Sequence, residues 1–337
     1  MNCVSLLFSH LPKQISGRDK PIQQLKTATA FLKTQNITIL TSAGQTHWDC
    51  ILSAVLDSGI PVHLVVAKPM TIEEISAQFS YEFNSYNIVE SWEARDKFIC
   101  SNAGCLYPLW LRRNGHISQL ITKNSSNSSR VDLRFACSSY RFVDSGLKYL
   151  LSDLSAEVEL LPDNYLWHWT RGKHGIWAGE TRRNYCSDIL NSNSPPRDAL
   201  ATLTRILREK IIRASGLKIA SNTPVTAFTE NNPADSKAMF TWRKDRQQMN
   251  FEPYGIGIEK EYLKTKGAKL LQYGTTPDWN TMKFDNRWKN ENEWRIHGDF
   301  LLEDDCTDKM IVVVRKPHEI AKIQESFNGK IVSYENK

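Results

Sequence analysis

The first half of the chain alternates short apolar runs with a segment of helical periodicity. Residues 37–40 and 61–66 are apolar and rich in β-branched side chains, and between them 49–58 repeats its apolar positions every three to four residues. Gly59 is a suitable residue to end that helix. Strand, helix and strand in this order predict a βαβ unit, whose two strands must lie parallel in one sheet.

Further elements in this half follow the same alternation. Thr71 opens a capping-box pattern that predicts the start of a helix, and leucines at helical spacing predict another helix over 140–155. Apolar runs predict strands at 97–101 and 107–112. We therefore expect an α/β domain with a parallel, Rossmann-like sheet over residues 1–158.

The second half, residues 159–337, has a different pattern. Its clearest helical stripe follows Pro196, whose fixed φ suits the first turn of a helix. The preceding stretch, 171–195, is rich in glycine, arginine and polar residues and predicts a loop. Short strands dominate the remainder and predict an α+β domain. The strand candidates are 165–170, 223–229, 254–259, 270–273 and 310–314.

Composition narrows the class of protein. With 41% hydrophobic and 24% charged residues, the chain resembles an ordinary globular protein, and no apolar run approaches the length of about 18 residues that a membrane span needs. The N-terminus lacks the basic segment of a signal peptide. The seven cysteines form no CxxC pair, which favours free thiols in a reducing cytoplasm over a metal site. We expect a cytoplasmic protein with no metal and no membrane partner.

The net charge of +6 is compatible with a polyanionic partner. Basic residues crowd 171–213, where either a nucleic-acid surface or an ordinary solvated helix face with a loop explains them equally well.

His168 and Thr170 lie two positions apart on the first strand of the second half. Alternating residues of a strand share a face, so these side chains should project together while Trp169 points away. An imidazole beside a hydroxyl can hydrogen-bond vicinal ribose hydroxyls. The alternative is a structural histidine on a core strand.

An acidic motif lies near the end of the chain. If residues 291–295 are extended, Glu291, Glu293 and Arg295 share one face. Neighbouring carboxylates raise the pKa of one of them, and an arginine can neutralise the pair. Such a group suits the stabilisation of an oxocarbenium-like centre. The alternative is a solvated run of charge before a strand.

Two weaker features lie between these motifs. Phe228 and Thr229 end a strand, which either places polar groups at a site or simply enters a turn. Tyr254 precedes Gly255 and Gly257, a GxG pattern that opens no helix. We interpret it as a strand whose glycines allow close approach, and not as a phosphate loop.

In their order along the chain, these motifs resemble the ADP-ribosyltransferase superfamily over residues 165–314. The likeness is greatest to the bacterial branch that includes DarT-like enzymes and to bacterial families with a terminal Glu-Trp-Arg. The resemblance implies an ADP-ribosyltransferase-like domain with NAD as substrate. Glu293 would stabilise the cationic ribose, and Glu291 matches the upstream carboxylate of a Glu-x-Glu subclass. Glu230 is a third candidate for the catalytic carboxylate.

The resemblance also assigns the residues that bind NAD across a split sheet. His168 and Thr170 would hold the nicotinamide ribose, and either Tyr254 or Phe228 would stack on nicotinamide. The loop 171–195 is longer than a minimal member of the superfamily needs. Arg171, Arg182 and Arg183 would bind either the pyrophosphate or a polyanionic acceptor. The other residues expected at the NAD site are Thr229 and Arg295.

The sequence does not identify the acceptor of ADP-ribose. It could be nucleic acid, protein or water, the last making the protein an NAD glycohydrolase. An RNA 2′-phosphotransferase is a related alternative, and a toxin or anti-phage effector is a fitting biological context. A different class is a basic nucleic-acid-binding protein without catalysis.

The N-terminal half offers one ligand candidate. The turn with Gly44 and Thr46 joins a strand to a helix, where α/β folds place ligands and where main-chain N–H groups can bind phosphate. This turn would let the first domain sense a nucleotide or a partner. The alternative is a plain βα connection.

Overall fold

The chain forms two compact units, Met1–Asp144 with His174–Pro196, and Ser145–Lys173 with Arg197–Lys337. The first segment of the first unit ends at Asp144, before the boundary predicted at 158. Residues His174–Pro196 also belong to the first unit, although they lie beyond that boundary. The predicted helix over 140–155 falls almost wholly outside the described residues. The computed structural model describes residues 3–9, 11, 15–124, 130–137, 151, 153–216, 219, 221–243, 248–274, 278–282 and 291–336.

The first unit contains a six-stranded parallel sheet in the order β4-β3-β2-β1-β5-β6, which confirms the predicted Rossmann-like α/β fold. Helices connect its strands, as parallel pairing requires. Its elements are β1 (Cys3–Phe8), α1 (Lys20–Leu32), β2 (Thr38–Ser42), α2 (Thr46–Asp57), β3 (Val62–Ala67), α3 (Ile72–Phe79), β4 (Tyr86–Val89), α4 (Trp92–Asn102), β5 (Cys105–Trp110), α5 (His116–Asn124) and β6 (Arg130–Val131).

The strand predicted at 97–101 is wrong, because these residues belong to α4. The hydroxyl of Ser91 accepts a hydrogen bond from the main-chain nitrogen of Ala94 at 3.1 Å and caps this helix. The helix buries Arg95 and Ile99, which lie four residues apart on one face. A short apolar run fits a strand or a buried helical turn equally well, and here the capping residue decides.

The second unit has a seven-stranded mixed sheet in the order β13-β16-β9-β7-β12-β18-β19. In chain order, the second half of the protein contains α6 (Ala156–Glu159), β7 (Tyr165–Trp169), α7 (Arg182–Asn191), α8 (Ala199–Glu209), β8 (Ile211–Ile212), β9 (Val225–Thr229), β10 (Trp242–Arg243), β11 (Gln248–Met249), β12 (Gly255–Glu259), α9 (Lys260–Thr265), β13 (Lys269–Leu270), β14 (Gln272–Tyr273), β15 (Thr281–Met282), β16 (Glu293–His297), β17 (Phe300–Leu301), β18 (Met310–Val314), α10 (Ile320–Gln324) and β19 (Lys330–Ser333).

The two faces of this sheet carry separate apolar cores. Leu166 and Phe228 belong to the core on the side of α8, whereas Trp167 and Trp169 belong to the core on the other side. The rings of Trp167 and Trp169 stack with their centroids 5.8 Å apart. They lie over the glycines of β12, because a β-carbon on Gly257 would come within 2.6 Å of the Trp167 ring. The GxG pattern therefore makes room for tryptophan.

The stretch predicted as a loop over 171–195 contains helix α7, which belongs to the first unit. Its first turn is capped by Thr181, whose hydroxyl accepts from the main-chain nitrogen of Asn184 at 3.2 Å. The helix buries Tyr185, Cys186, Ile189 and Leu190 and packs on α2. These four residues form two adjacent pairs at helical spacing, but the stripe covers fewer than two turns and is therefore weak.

No helix within the described part of the chain is long and apolar enough to cross a membrane.

Candidate active site

The seven-stranded sheet opens between β7 and β9. These strands, described in full, pair only at Trp167 and Thr229. On the other side of β7, pairing with β12 runs over five residue pairs, and β9 pairs with β16 over five as well. Each half of the sheet is thus regular, and the gap begins at His168.

His168 lies in this gap. Its Nδ1 atom is 2.8 Å from the carbonyl oxygen of Ala227. A carbonyl only accepts, so Nδ1 carries the hydrogen and the neutral ring presents Nε2 as an acceptor. Burial lowers the pKa of His168, and the positive charge of Arg171 lowers it further, against the opposing effect of the Ala227 hydrogen bond. The ring is therefore neutral near pH 7, and the residue as a whole is partly exposed.

The sheet is uncovered beside this histidine. Ala227 is exposed although it lies on β9, an interior strand of the sheet. Its neighbour in register on β16 is Arg295. Side chains of directly opposed antiparallel residues share a face, so Glu293, two positions before Arg295, projects on the same face as Ala227. Ala227 and Glu293 therefore share the face of Trp167, the register partner of Thr229, whereas His168 projects towards the opposite face, where it packs on Phe228.

Glu293 and Arg295 form an ion pair on this face. The Nε atom of Arg295 donates to Oε1 of Glu293 at 2.7 Å, and the Arg295 side chain is almost fully buried while Glu293 keeps 16% of its side chain exposed. Arg295 also donates through Nη1 to the carbonyl of Trp279 at 2.9 Å. The arginine therefore fixes the orientation of a carboxylate that still reaches solvent.

Glu291 does not continue the strand, which corrects the expectation of an extended segment over 291–295. The strand begins at Glu293, and Asn292 has a positive φ of 44° that turns the chain. Asparagine tolerates this left-handed conformation better than most residues do. The side-chain amide of Asn292 donates to Asn231 Oδ1 at 2.7 Å, which holds the turn.

A series of hydrogen bonds links Glu291 of the acidic motif to Arg171, which follows the strand of His168. The buried side chain of Asn250 donates through Nδ2 to Glu291 Oε1 at 3.2 Å. The carbonyl of Asn250 accepts from Arg171 Nη1 at 3.1 Å. The carbonyl of Glu291 accepts from the hydroxyl of Thr229. Asn250 could not be predicted as a site residue, because its neighbours in the sequence form no recognisable motif.

Tyr273 is a second residue that the motifs did not reveal. It keeps 41% of its surface exposed on β14. Partial burial raises the pKa of its phenol, and the charges of Glu293 and Glu291 raise it further. Its only signal in the sequence is an aromatic residue at the end of a predicted strand.

Five predicted NAD-binding residues are buried: Thr229 and Arg295, already described, and Thr170, Tyr254 and Phe228. The Thr170 hydroxyl donates to the carbonyl of Tyr254 at 3.0 Å, and the Tyr254 hydroxyl donates to Glu319 Oε1 at 2.9 Å. The ring of Phe228 packs edge-on against His168 with centroids 5.8 Å apart. The position of Thr170 on the His168 face follows the predicted alternation. Contacts of these side chains with NAD stay predictions.

Glu230, the third candidate carboxylate, has strong partners of its own. Lys260 forms an ion pair with it, and Trp294 donates through Nε1 at 2.9 Å. Partial burial acts to raise the pKa of Glu230, but the hydrogen bonds from Lys260 and Trp294 outweigh it and lower the pKa. This carboxylate therefore serves to anchor α9 to the end of β9.

The arginines of the inserted helix are engaged within the first unit. Arg182 donates to Asp49 Oδ2 at 2.9 Å, and Arg183 donates to Asp57 Oδ1 at 3.0 Å. The other oxygen of Asp49 accepts from the main-chain nitrogen of Gly44 at 2.7 Å. The turn that was a candidate phosphate site is thus closed by the protein's own carboxylate.

Comparisons of the chain with models of known protein families, with curated proteins and with solved structures gave no match. The geometry of the site is therefore the basis for assigning a function.

Proposed function

We propose that the second unit transfers ADP-ribose from NAD to a macromolecular acceptor. One observation carries the proposal. A neutral histidine lies where the sheet opens between β7 and β9, and Glu293, which Arg295 orients, shares a face with the exposed Ala227 of β9. This chemistry has two requirements. One is a nitrogen that accepts a hydrogen bond from a ribose hydroxyl, and the other is a fixed negative charge that stabilises the developing ribose cation.

In this mechanism, His168 accepts a hydrogen bond from a ribose hydroxyl through Nε2, the nitrogen that its contact with Ala227 leaves free of hydrogen. Arg171 lies close enough to His168 to influence its pKa, and its positive charge suits the pyrophosphate. Nucleotide binding thus uses groups on the β7 side of the gap.

Glu293 acts on the β16 side. Its carboxylate stabilises the cationic ribose as the C1′–N bond breaks and nicotinamide leaves with the electron pair. The acceptor's lone pair then forms the new bond to C1′, and Glu291 is positioned to take the acceptor's proton. The hydrogen bonds from Arg295 and Asn250 hold these two carboxylates in separate orientations, which suits separate roles.

The test is release of nicotinamide from NAD by the full chain. Glu293→Gln keeps the shape and one acceptor oxygen of the side chain but removes its charge, so nicotinamide release should fall by about 10²- to 10³-fold. Glu261→Gln is the matched control, since Glu261 is an exposed glutamate of the same unit that pairs with Lys264. Its activity should equal that of the wild type.

The outcomes separate the candidate functions. Radiolabel transferred from NAD to a macromolecule supports the transferase, whereas free ADP-ribose as the final product identifies an NAD glycohydrolase. Equal rates for the wild type and Glu293→Gln, or no NAD consumption at all, would reject the enzyme and leave a binding protein.

A further inference from the structure

Three polar side chains form a hydrogen-bonded series at one edge of the parallel sheet in the first unit. The Nδ1 atom of His63, on β3, lies 2.6 Å from the Oγ atom of Ser85, which directly precedes β4. The Nε2 atom of the same ring lies 2.7 Å from Oδ1 of Asn87 on β4. We call Ser85, His63 and Asn87 the edge triad. The proposed transfer of ADP-ribose uses none of these residues.

The pairing of β3 with β4 brings the edge triad together. Ser85 and Asn87 are two positions apart on an extended chain and therefore share a face of the sheet. Val65 lies in register with Asn87, so His63, two positions before Val65, projects on that face as well. The contacts of the imidazole thus follow from the register of two neighbouring strands.

The two contacts fix the tautomer of His63. A side-chain amide oxygen only accepts, so Nε2 carries the hydrogen and donates it to Asn87. Nδ1 then presents a lone pair, and the hydroxyl of Ser85 donates to it. A nucleophile, a base and a group that orients the base occur here in the order that activates a serine for acyl transfer.

A main-chain donor lies beside the nucleophile. Among the described strands, β4 is the outermost on its side of the six-stranded sheet. The peptide group between Ser85 and Tyr86 directs its carbonyl towards β3, where the main-chain nitrogen of Leu64 donates to it at 3.0 Å. The C=O and N–H of a trans peptide point in opposite directions, so the N–H of Tyr86 points to the open side of β4. The residue after a nucleophilic serine is a common source of an oxyanion donor.

The surroundings of the edge triad are accessible to a ligand. His63 and Ser85 are half-exposed, and Asn87 is exposed. On the same strand, Tyr86 and Ile88 keep 43% and 56% of their surface exposed. Charged side chains commonly protect an edge strand, so a tyrosine and an isoleucine at this edge favour contact with an apolar group such as an acyl chain.

We propose that the edge triad is a second active site, which hydrolyses carboxylic esters of short acyl chains. The Oγ atom of Ser85 attacks the ester carbonyl carbon while Nδ1 of His63 takes the hydroxyl proton, and the N–H of Tyr86 stabilises the oxyanion. The bond to the alcohol then breaks, and the alcohol leaves with the electron pair and takes the proton from Nδ1. Water attacks the acyl-serine by the same steps, which releases the carboxylic acid and restores Ser85.

Two probes test the site on the full chain. A fluorophosphonate loses fluoride to an activated serine and labels it covalently, and mass spectrometry should find this label on Ser85. The second probe is p-nitrophenyl butyrate, whose steady-state hydrolysis releases p-nitrophenol. His63→Gln removes the base and should slow both reactions by about 10²-fold or more. Ser85→Ala should remove the label and reduce p-nitrophenol release to the rate in buffer.

Asn87 is a positioning residue, because it acts through the imidazole. Asn87→Asp keeps an acceptor for the Nε2 hydrogen of His63 and should retain the wild-type rate. Asn87→Leu, which has a similar volume and no acceptor, should lower kcat for the butyrate ester with little change in KM. Ser101→Ala and His116→Gln are matched controls, since both residues are exposed in the same unit. Both should react as the wild type does.

Two results would overturn the inference. One is the absence of label on Ser85 in the folded wild type, and the other is labelling and turnover that stay unchanged in His63→Gln. The wild-type labelling needs no variant, so it decides the question even where a variant fails to fold. Nicotinamide release from NAD should be unchanged in Ser85→Ala, because the esterase proposal does not rest on the proposed function.

Discussion

The Nδ1 atom of His168 donates to the carbonyl of Ala227 at 2.8 Å, where β7 and β9 have ceased to pair through their main chains. A side chain thus replaces the ladder hydrogen bond that the opening removes. The replacement matters chemically because it fixes the neutral tautomer and leaves Nε2 as the atom that can meet a ligand.

Stability should depend on the protonation of His168. Because burial lowers its pKa in the folded protein below the ordinary value of 6.5, the unfolded chain binds a proton first as pH falls. Its contribution to the free energy of unfolding is therefore constant above pH 6.5 and declines as pH falls from 6.5 towards the lowered pKa. Urea denaturation of the wild type and His168→Asn over this range measures the effect.

One outcome of the denaturation experiment would contradict this prediction. If the difference in unfolding free energy between the two proteins stays constant below pH 6.5, His168 is not held neutral. Under the proposed function, KM for NAD should rise over the same pH range, because a protonated Nε2 cannot accept from a ribose hydroxyl.

Gly257 should resist substitution although it lies in an ordinary strand. A β-carbon there would come within 2.6 Å of the Trp167 ring, which is 1% exposed and stacked on Trp169, so it has little room to move. Gly257→Ala should lower the free energy of unfolding by about 1–3 kcal/mol, as overpacked cores do. Chemical denaturation gives the value.

The control for this prediction is a double-mutant cycle. Trp167→Phe removes part of the clashing ring and costs stability through the cavity that it leaves. Combined with Gly257→Ala, it should cost less than the sum of the two single changes. Additive effects would show that the ring and the glycine do not constrain each other.

The sequence predicted β2, β3 and β5 because each of these strands is largely buried and carries a short apolar run, whereas the mostly exposed β4 was not predicted. It failed at α4, where the run around Ile99 is too short to distinguish helix from strand. It also failed at α7, whose buried residues span fewer than two turns. The return of this helix to the first unit depends on distant contacts such as that of Arg182 with Asp49.

That contact leads to a prediction about Arg182. Asp49 is 2% exposed, and burial raises its pKa even with Arg182 beside it. Arg182→Ala would leave this carboxylate without its nearest counter-charge, at a cost of about 3 kcal/mol in unfolding free energy. Because Arg182 is engaged within the first unit, KM for NAD should not change.

Arg183→Ala provides the matched control, since Arg183 pairs with Asp57, a carboxylate whose side chain is 43% exposed. An exposed pair of this kind contributes about 1 kcal/mol or less. Adding Asp49→Asn to Arg182→Ala should restore part of the lost stability. A rise in KM for NAD in Arg182→Ala would instead support the pyrophosphate role that the sequence motifs implied.

Within the candidate site, motifs identified residues that carry charge but not the residues that orient them. His168 and Glu293 lie on short, recognisable patterns. Asn250 directly follows the two-residue strand β11. It contacts Glu291, 41 residues later in the sequence, only because the fold brings the two segments together. Such a partner has no local signal, since its identity is fixed by the three-dimensional approach of two segments.

Asn250 should position Glu291 for its role in transfer. Asn250→Leu keeps the volume of the side chain but removes the Nδ2 donor, while the main-chain carbonyl that accepts from Arg171 remains. Loss of one hydrogen bond to a charged group should raise the pKa of Glu291, because that bond favours the ionised form. The pH profile of kcat for transfer should therefore shift its acidic limb to higher pH. Asn250→Asp, which cannot donate to a carboxylate when ionised, should behave at least as poorly, and an unshifted profile in both variants would assign Asn250 a structural role only.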